Sequence, residues 1–93
     1  MWLDVREFVF DDVNEAKFID HGATIIDVLA ALDLEPRFFV NRRARRASHV
    51  MVGPAQSGRV LVVPIEDWGR GLWRPVTAFD ANAWQVRRYR SSL

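Results

Sequence analysis

An α+β domain with helices packed on an antiparallel sheet is the fold class the sequence predicts, and three observations carry that expectation. Two capped helical patterns fill the stretch before Pro36, four β-favouring runs separated by turn chemistry follow it, and a third helical pattern closes the chain. The 93 residues are enough for one domain, spanning 1–93, and the 49% apolar content is enough for one modest core.

The elements follow in order. Glu7, Phe8, Val9 and Phe10 form a short β-favouring run that stops at Asp11 and Asp12, and predict a first strand. Asp12 with Glu15 three positions on reads as a capping box, so helix one is expected over about 13–21, with Gly22 as its left-handed C-terminal residue. Thr24 opens a second helix with Asp27 in its first turn. Ile25, Val28, Leu29 and Leu32 give that helix one apolar stripe, and Pro36 lies beyond its end. Residues 37–42, 48–52, 59–66 and 72–78 read as four strands of an antiparallel meander. The run Val60, Leu61, Val62, Val63 lacks polar alternation and is expected mid-sheet with both faces covered, while Pro64 is expected to mark a bulge or the end of pairing. Asp80 is expected to cap the last helix, running through Arg90 and turning Ala81, Trp84 and Arg88 toward the sheet.

Charge is divided along the chain. Residues 1–36 hold nine acids against Arg6 and Lys17, a net −7, whereas residues 37–93 hold eleven arginines against Glu66, Asp67 and Asp80, a net +8. The basic half is therefore the place to expect a polyanion. Its densest stretch, Arg42, Arg43, Ala44, Arg45, Arg46, lies between two β-type runs, and every charge in it is a guanidinium suited to bidentate phosphate contact.

Other classes are disfavoured. With no cysteine, disulfides and thiolate metal sites are excluded, which fits a reducing cytoplasm. The longest apolar run is far shorter than the ~20 residues that cross a bilayer, and the N-terminus lacks a basic-then-apolar signal pattern, so a soluble cytoplasmic protein is expected. The sequence has no phosphate-cradling Gly loop and no nucleophile elbow, and its two histidines, His21 and His49, are spaced poorly for zinc. No metal or cofactor is expected.

The segment from Phe10 to Thr24 carries an aromatic-Asp-x-x-Asn pattern, then His21-Gly22 and a Thr helix start. After it come the arginine loop, the Gly58-Arg59-hydrophobic strand and the closing Trp73-Arg74-Pro75-Val76-Thr77-Ala78 through Tyr89. This ordered set, over about residues 8–90, resembles the BrnT-like toxins of the RelE-like superfamily. The resemblance implies a compact RelE-like fold and a type II toxin–antitoxin pair. It also implies metal-independent ribonuclease activity that arrests translation, and an antitoxin protein that neutralises it. Family members commonly place an Arg and a Glu where this chain has Phe79 and Gln85, and closely similar sequences often have His where it has Lys17.

Metal-free RNA cleavage needs in-line attack of the 2′-OH, removal of one proton, delivery of another and neutralisation of charge on the phosphoryl oxygens. His49 is the candidate acid or base because imidazole is the side chain whose ordinary range lies nearest neutrality. Glu66 could orient or replace it, and Arg46 and Arg74 would stabilise the phosphorane-like charge. Arg42, Arg43, Arg45, Arg46, Arg87, Arg88 and Arg90 are the candidate RNA-binding cations. Each has a structural counter-reading: a solvated turn for the arginine run, a half-buried polar residue for His49, a stacked packing feature for Arg74 and helix capping for His21. Among the tryptophans, Trp84 is expected to be a core anchor and Trp68 to be exposed. Two further functions are carried alongside the nuclease. One is binding to RNA or an antitoxin partner without cleavage, since Phe79 and Gln85 hold no charge. The other is self-association of the acidic third with the basic half of another copy.

Overall fold

The computed structural model describes residues 2–42 and 46–93, so Arg43 and Arg45 of the arginine loop lie outside the described residues. The element order is β1 (Glu7–Phe8), α1 (Asp12–Asp20), α2 (Ile25–Asp33), β2 (Arg37–Val40), β3 (His49–Pro54), β4 (Val60–Gly69), β5 (Leu72–Pro75), β6 (Phe79–Asp80) and α3 (Ala83–Ser91). Among the described residues the fold is α+β, with three helices on a mixed six-stranded sheet.

The sheet runs β1-β5-β4-β3-β2. The expected antiparallel meander accounts for β2 through β5, and β1 adds to β5 in parallel, a pairing the sequence did not suggest. Of the stretch expected as one strand over 72–78, only the start is strand: β5 stops at Pro75, and farther along the same edge of β4 a further strand, β6, pairs with its beginning through Leu61↔Asp80 and Val62↔Phe79. Pro64 neither ends pairing nor makes a bulge: β3–β4 register continues through Val50↔Pro64 to His49↔Ile65. Its carbonyl accepts from Val76 N–H, so the absent N–H faces the side where β4 changes partner from β6 to β5 and little is lost. The irregularity falls later, between Asp67 and Gly69.

Both faces of the sheet are covered, as the unbroken apolar run of β4 required. On one face Met51, Leu61, Val63, Ile65 and Trp73 pack with Phe18 of α1 and with Val28 and Ala31 of α2. On the other, Val52, Val60 and Val62 meet Tyr89 and Val86 of α3. Within α2, Val28 is fully buried and Ile25 and Leu32 pack on the first core, but Leu29 turns outward and Ala31 takes its place. Gly53 explains the exchange, because a Cβ there would lie 2.7 Å from the Ala31 carbonyl oxygen, so the helix sits directly on the strand.

Helix ends follow capping chemistry with two shifts. The α1 box uses Asp11 and Asn14, one position before the expected Asp12 and Glu15. Asn14 wins because it is fully buried and uses every polar atom of its side chain: Oδ1 accepts from Asp11 N–H, and Nδ2 donates to the Val9 and Pro75 carbonyls at 2.9 Å each. Gly22, at φ 74°, closes α1 as expected, with Gly22 N–H and Ala23 N–H returning to the Ile19 and Phe18 carbonyls. Thr24 and Asp27 box α2 as expected. The α3 cap is Asn82 rather than Asp80, which belongs to β6 and pairs with Arg59 at 3.1 Å. This later start rotates α3, so that Val86 and Tyr89 face the sheet and Trp84, expected as a core anchor, is 58% exposed. Among the described residues, no helix is long and apolar enough to cross a membrane.

Candidate nucleic-acid groove

Rotation of α3 opens a groove of about 620 Å³ between that helix, β2 and the adjoining sheet face. Its apolar lining includes Val50, Val52, Val62 and Pro64 from the central strands, with Phe39 of β2 and Phe79 of β6. Trp84, Arg88, Asn82 and Gln85 line it from the α3 side, and Asn41 and Arg42 from the start of the arginine loop. Among the described residues, no carboxylate lines it. The composition suits a ligand with flat apolar rings and negative charge.

Arg88 is held ready there. Its guanidinium carbon lies 5.2 Å from the Phe39 ring centroid and 5.5 Å from that of Trp84, so two aromatic surfaces support the cation while its N–H edge stays available. Arg42, Arg46, Arg87, Arg88 and Arg90 take no carboxylate among the described residues, and all five are exposed. Of these, Arg42 and Arg88 share the groove lining.

Arg74 is in a different state. Its guanidinium is almost buried and grips Asp11 through two bonds, Nε to Oδ2 at 2.8 Å and Nη2 to Oδ1 at 3.1 Å, while Nη1 lies 3.7 Å from Glu66 Oε1. The Arg74 hydrogen bonds, with that from Asn14 N–H, lower the Asp11 pKa to about 2; the same pairing raises that of Arg74. Glu66 is occupied too, accepting from the Trp68 indole N–H at 2.8 Å, and Trp68 is exposed as expected. Arg59 is likewise committed, to Asp27, Asp80 and the Gly22 carbonyl.

His49 lies apart from these groups. Strand alternation puts it on the α1/α2 face with Met51, Ile65 and Trp73, whereas Glu66 and Arg74, each one residue on, face the other way. The ring stands edge-on to Trp73 at 5.4 Å and bonds to Ser48 Oγ through Nδ1 at 2.8 Å. The residues leading into β1 lie over this face: Leu3 and Val5 pack on the first core and the Trp73 indole donates to the Asp4 carbonyl. The structure thus joins Arg74 to Glu66 and leaves His49 across the sheet. Arg46 is exposed at the far end of the arginine loop. His21 caps α1, its ring 6.0 Å from that of Phe79.

Two groove residues, Phe39 and Asn82, escaped the sequence reading: Phe39 looks like an ordinary strand residue, and Asn82 was hidden by the stronger cap signal of Asp80, while Phe79 and Gln85 were singled out only for the charges they lack. The spacing Asn82-x-x-Gln85 was the available clue. Compared with known proteins, the chain matches no family model and no curated sequence.

Proposed function

We propose that this chain is the RNA-directed member of a type II toxin–antitoxin pair. In this reading it is a BrnT-like, RelE-like domain that grips single-stranded RNA in the groove under α3 and, as a metal-independent ribonuclease, arrests translation. One observation carries the reading: an apolar, aromatic-lined groove with Arg42 and Arg88 in its lining and, among the described residues, no carboxylate. Splayed bases stack on Phe39 and Trp84, and phosphates meet the two guanidiniums. An acidic segment of a cognate antitoxin would neutralise the same surface by charge complementarity.

Binding without cleavage is the second reading, and a specific arrangement favours it. The candidate acid–base His49 is across the sheet from Glu66 and Arg74, and the Arg74 guanidinium is held by Asp11 with Glu66 beside it. Phe79 and Gln85, both lining the groove, supply no charge. The test is incubation of purified protein with labelled single-stranded RNA in chelator. Cleavage leaving a 2′,3′-cyclic phosphate, slowed in Arg88→Gln, supports the nuclease. Intact RNA in a saturable complex supports binding alone, and no complex at all rejects both.

A further inference from the structure

The sheet ends at β2, and among the described residues no strand pairs with its outer edge. Asn41 N–H donates to the Ser48 carbonyl at 3.0 Å, which fixes the alternation along this antiparallel pair: Arg37, Phe39 and Asn41 turn their backbone groups toward β3, and Phe38 and Val40 turn theirs outward. The outward N–H and C=O groups of Phe38 and Val40 meet no partner among the described residues. Beside them runs a cleft of about 560 Å³ lined by Trp2, Pro36, Arg37, Phe38, Phe39 and Ser92. Apolar surface gathers there too, with Trp2 83% exposed, Leu34 just before the strand 57% and Val40 at its end 54%. An uncovered edge with apolar flanks is a template for another strand.

Charge says which strand fits. The sign of the chain reverses at β2, since Asp33 and Glu35 precede it and Arg42 follows it, all three exposed. A second β2 laid antiparallel across a two-fold axis sets the acidic end of each copy against the basic end of the other, whereas a parallel one would bring like charges together. We infer that this edge is a homodimer interface, in which the β2 strands of two copies pair antiparallel and join their six-stranded sheets into one. The register centred on Phe39 satisfies every outward group with β2 residues alone: Phe38 exchanges both bonds with the partner's Val40, and Val40 with the partner's Phe38. Pairing stops at the next outward position, because Pro36 has no N–H and its carbonyl already accepts from Arg37 Nη1 at 3.1 Å. On the α3 face, Phe39 meets the partner's Phe39 as a cross-strand aromatic pair. The inference stands independently of the RNA reading.

The edge supplies its own test. Val40→Pro deletes an N–H that makes no bond within one copy, and proline is tolerated on an outer edge, so the fold persists. Sedimentation velocity over a concentration series, at low salt and without RNA, reads the outcome. The wild-type chain is expected to pass from monomer to dimer as concentration rises. Val40→Pro is expected to need about ten- to hundredfold more protein, the worth of two net hydrogen bonds per dimer, with the melting temperature of the dilute protein little changed.

Charge reversal gives a second measurement that does not depend on how proline is accommodated. Glu35→Arg and Arg42→Glu should each weaken the dimer, and the two combined in one chain should restore it, because opposite charges again face each other across the axis. A wild-type chain that is monomeric at every concentration overturns the inference. So does a dimer that Val40→Pro and both single reversals leave at full strength. Either result leaves the RNA reading of the groove untouched.

Discussion

Replacing Arg88 by Gln removes one charge from the groove while keeping a polar side chain of moderate length. For single strands, each phosphate neutralised contributes about 0.7 to the slope of log affinity against log salt, so a fourfold rise in salt costs about 2.6-fold in affinity per contact. Arg88 is supported by two rings at 5.2 and 5.5 Å and has no carboxylate among the described residues, so its whole charge is available to one phosphate. Arg88→Gln should therefore flatten the slope by about 0.7, whatever the loop arginines add to the total. Arg88→Lys separates charge from stacking. It should keep the slope but lose about two- to fivefold in affinity, the worth of an exposed cation–π contact of roughly 0.5–1 kcal/mol. Fluorescence anisotropy with a labelled single-stranded RNA over a salt series reads both quantities. A slope unchanged in Arg88→Gln would refute the assignment of phosphate binding to this residue.

Three further outcomes follow from the fold. Asn14→Ala removes the α1 cap partner and strands the Val9 and Pro75 carbonyls, at roughly 1–3 kcal/mol for each buried group left unpaired, so urea midpoints should drop sharply. Gly53→Ala drives a methyl into the Ala31 carbonyl and should cost about 1–3 kcal/mol, seen as a lower melting temperature; an unchanged value would mean α2 does not sit on β3 this closely. Asp11 has a folded pKa depressed to about 2 from 3.8, so its pairing with Arg74 stabilises the fold above about pH 4, and that stability is lost as pH falls toward 2. Asp11→Asn should be less stable at neutral pH and show a weaker fall in stability across that window. Parallel acid-unfolding curves would contradict the pairing.

The sequence was most legible where one local pattern had no competitor. Thr24 with Asp27, the turn at Gly22 and the two-sided burial of the β4 apolar run are such cases, since each rests on a few adjacent residues. It was least legible where two neighbouring signals competed. Asp11 and Asp12 each have a capping partner three residues on, and the choice was made by buried Val9 and Pro75 carbonyls that only the folded chain brings together. At α3, Asp80 outweighed Asn82 in the sequence, and two residues of offset turned Trp84 from core to groove. The basic half was visible as composition, but its division was not. Arg59 and Arg74 meet carboxylates distant in sequence, Asp27 and Asp11, while among the described residues Arg42 and Arg88 do not. Likewise nothing in the spacing of His49, Glu66 and Arg74 told which sheet face each would occupy, because that depends on register.

The most direct test is an amide NMR titration of the protein with a short single-stranded RNA. Binding in the groove predicts that Phe39, Val50, Val62, Trp84 and Arg88 shift together and saturate at one ratio. Shifts confined to Val13, Ile19 and Ile26 on the outer surfaces of α1 and α2, with the groove silent, would contradict it.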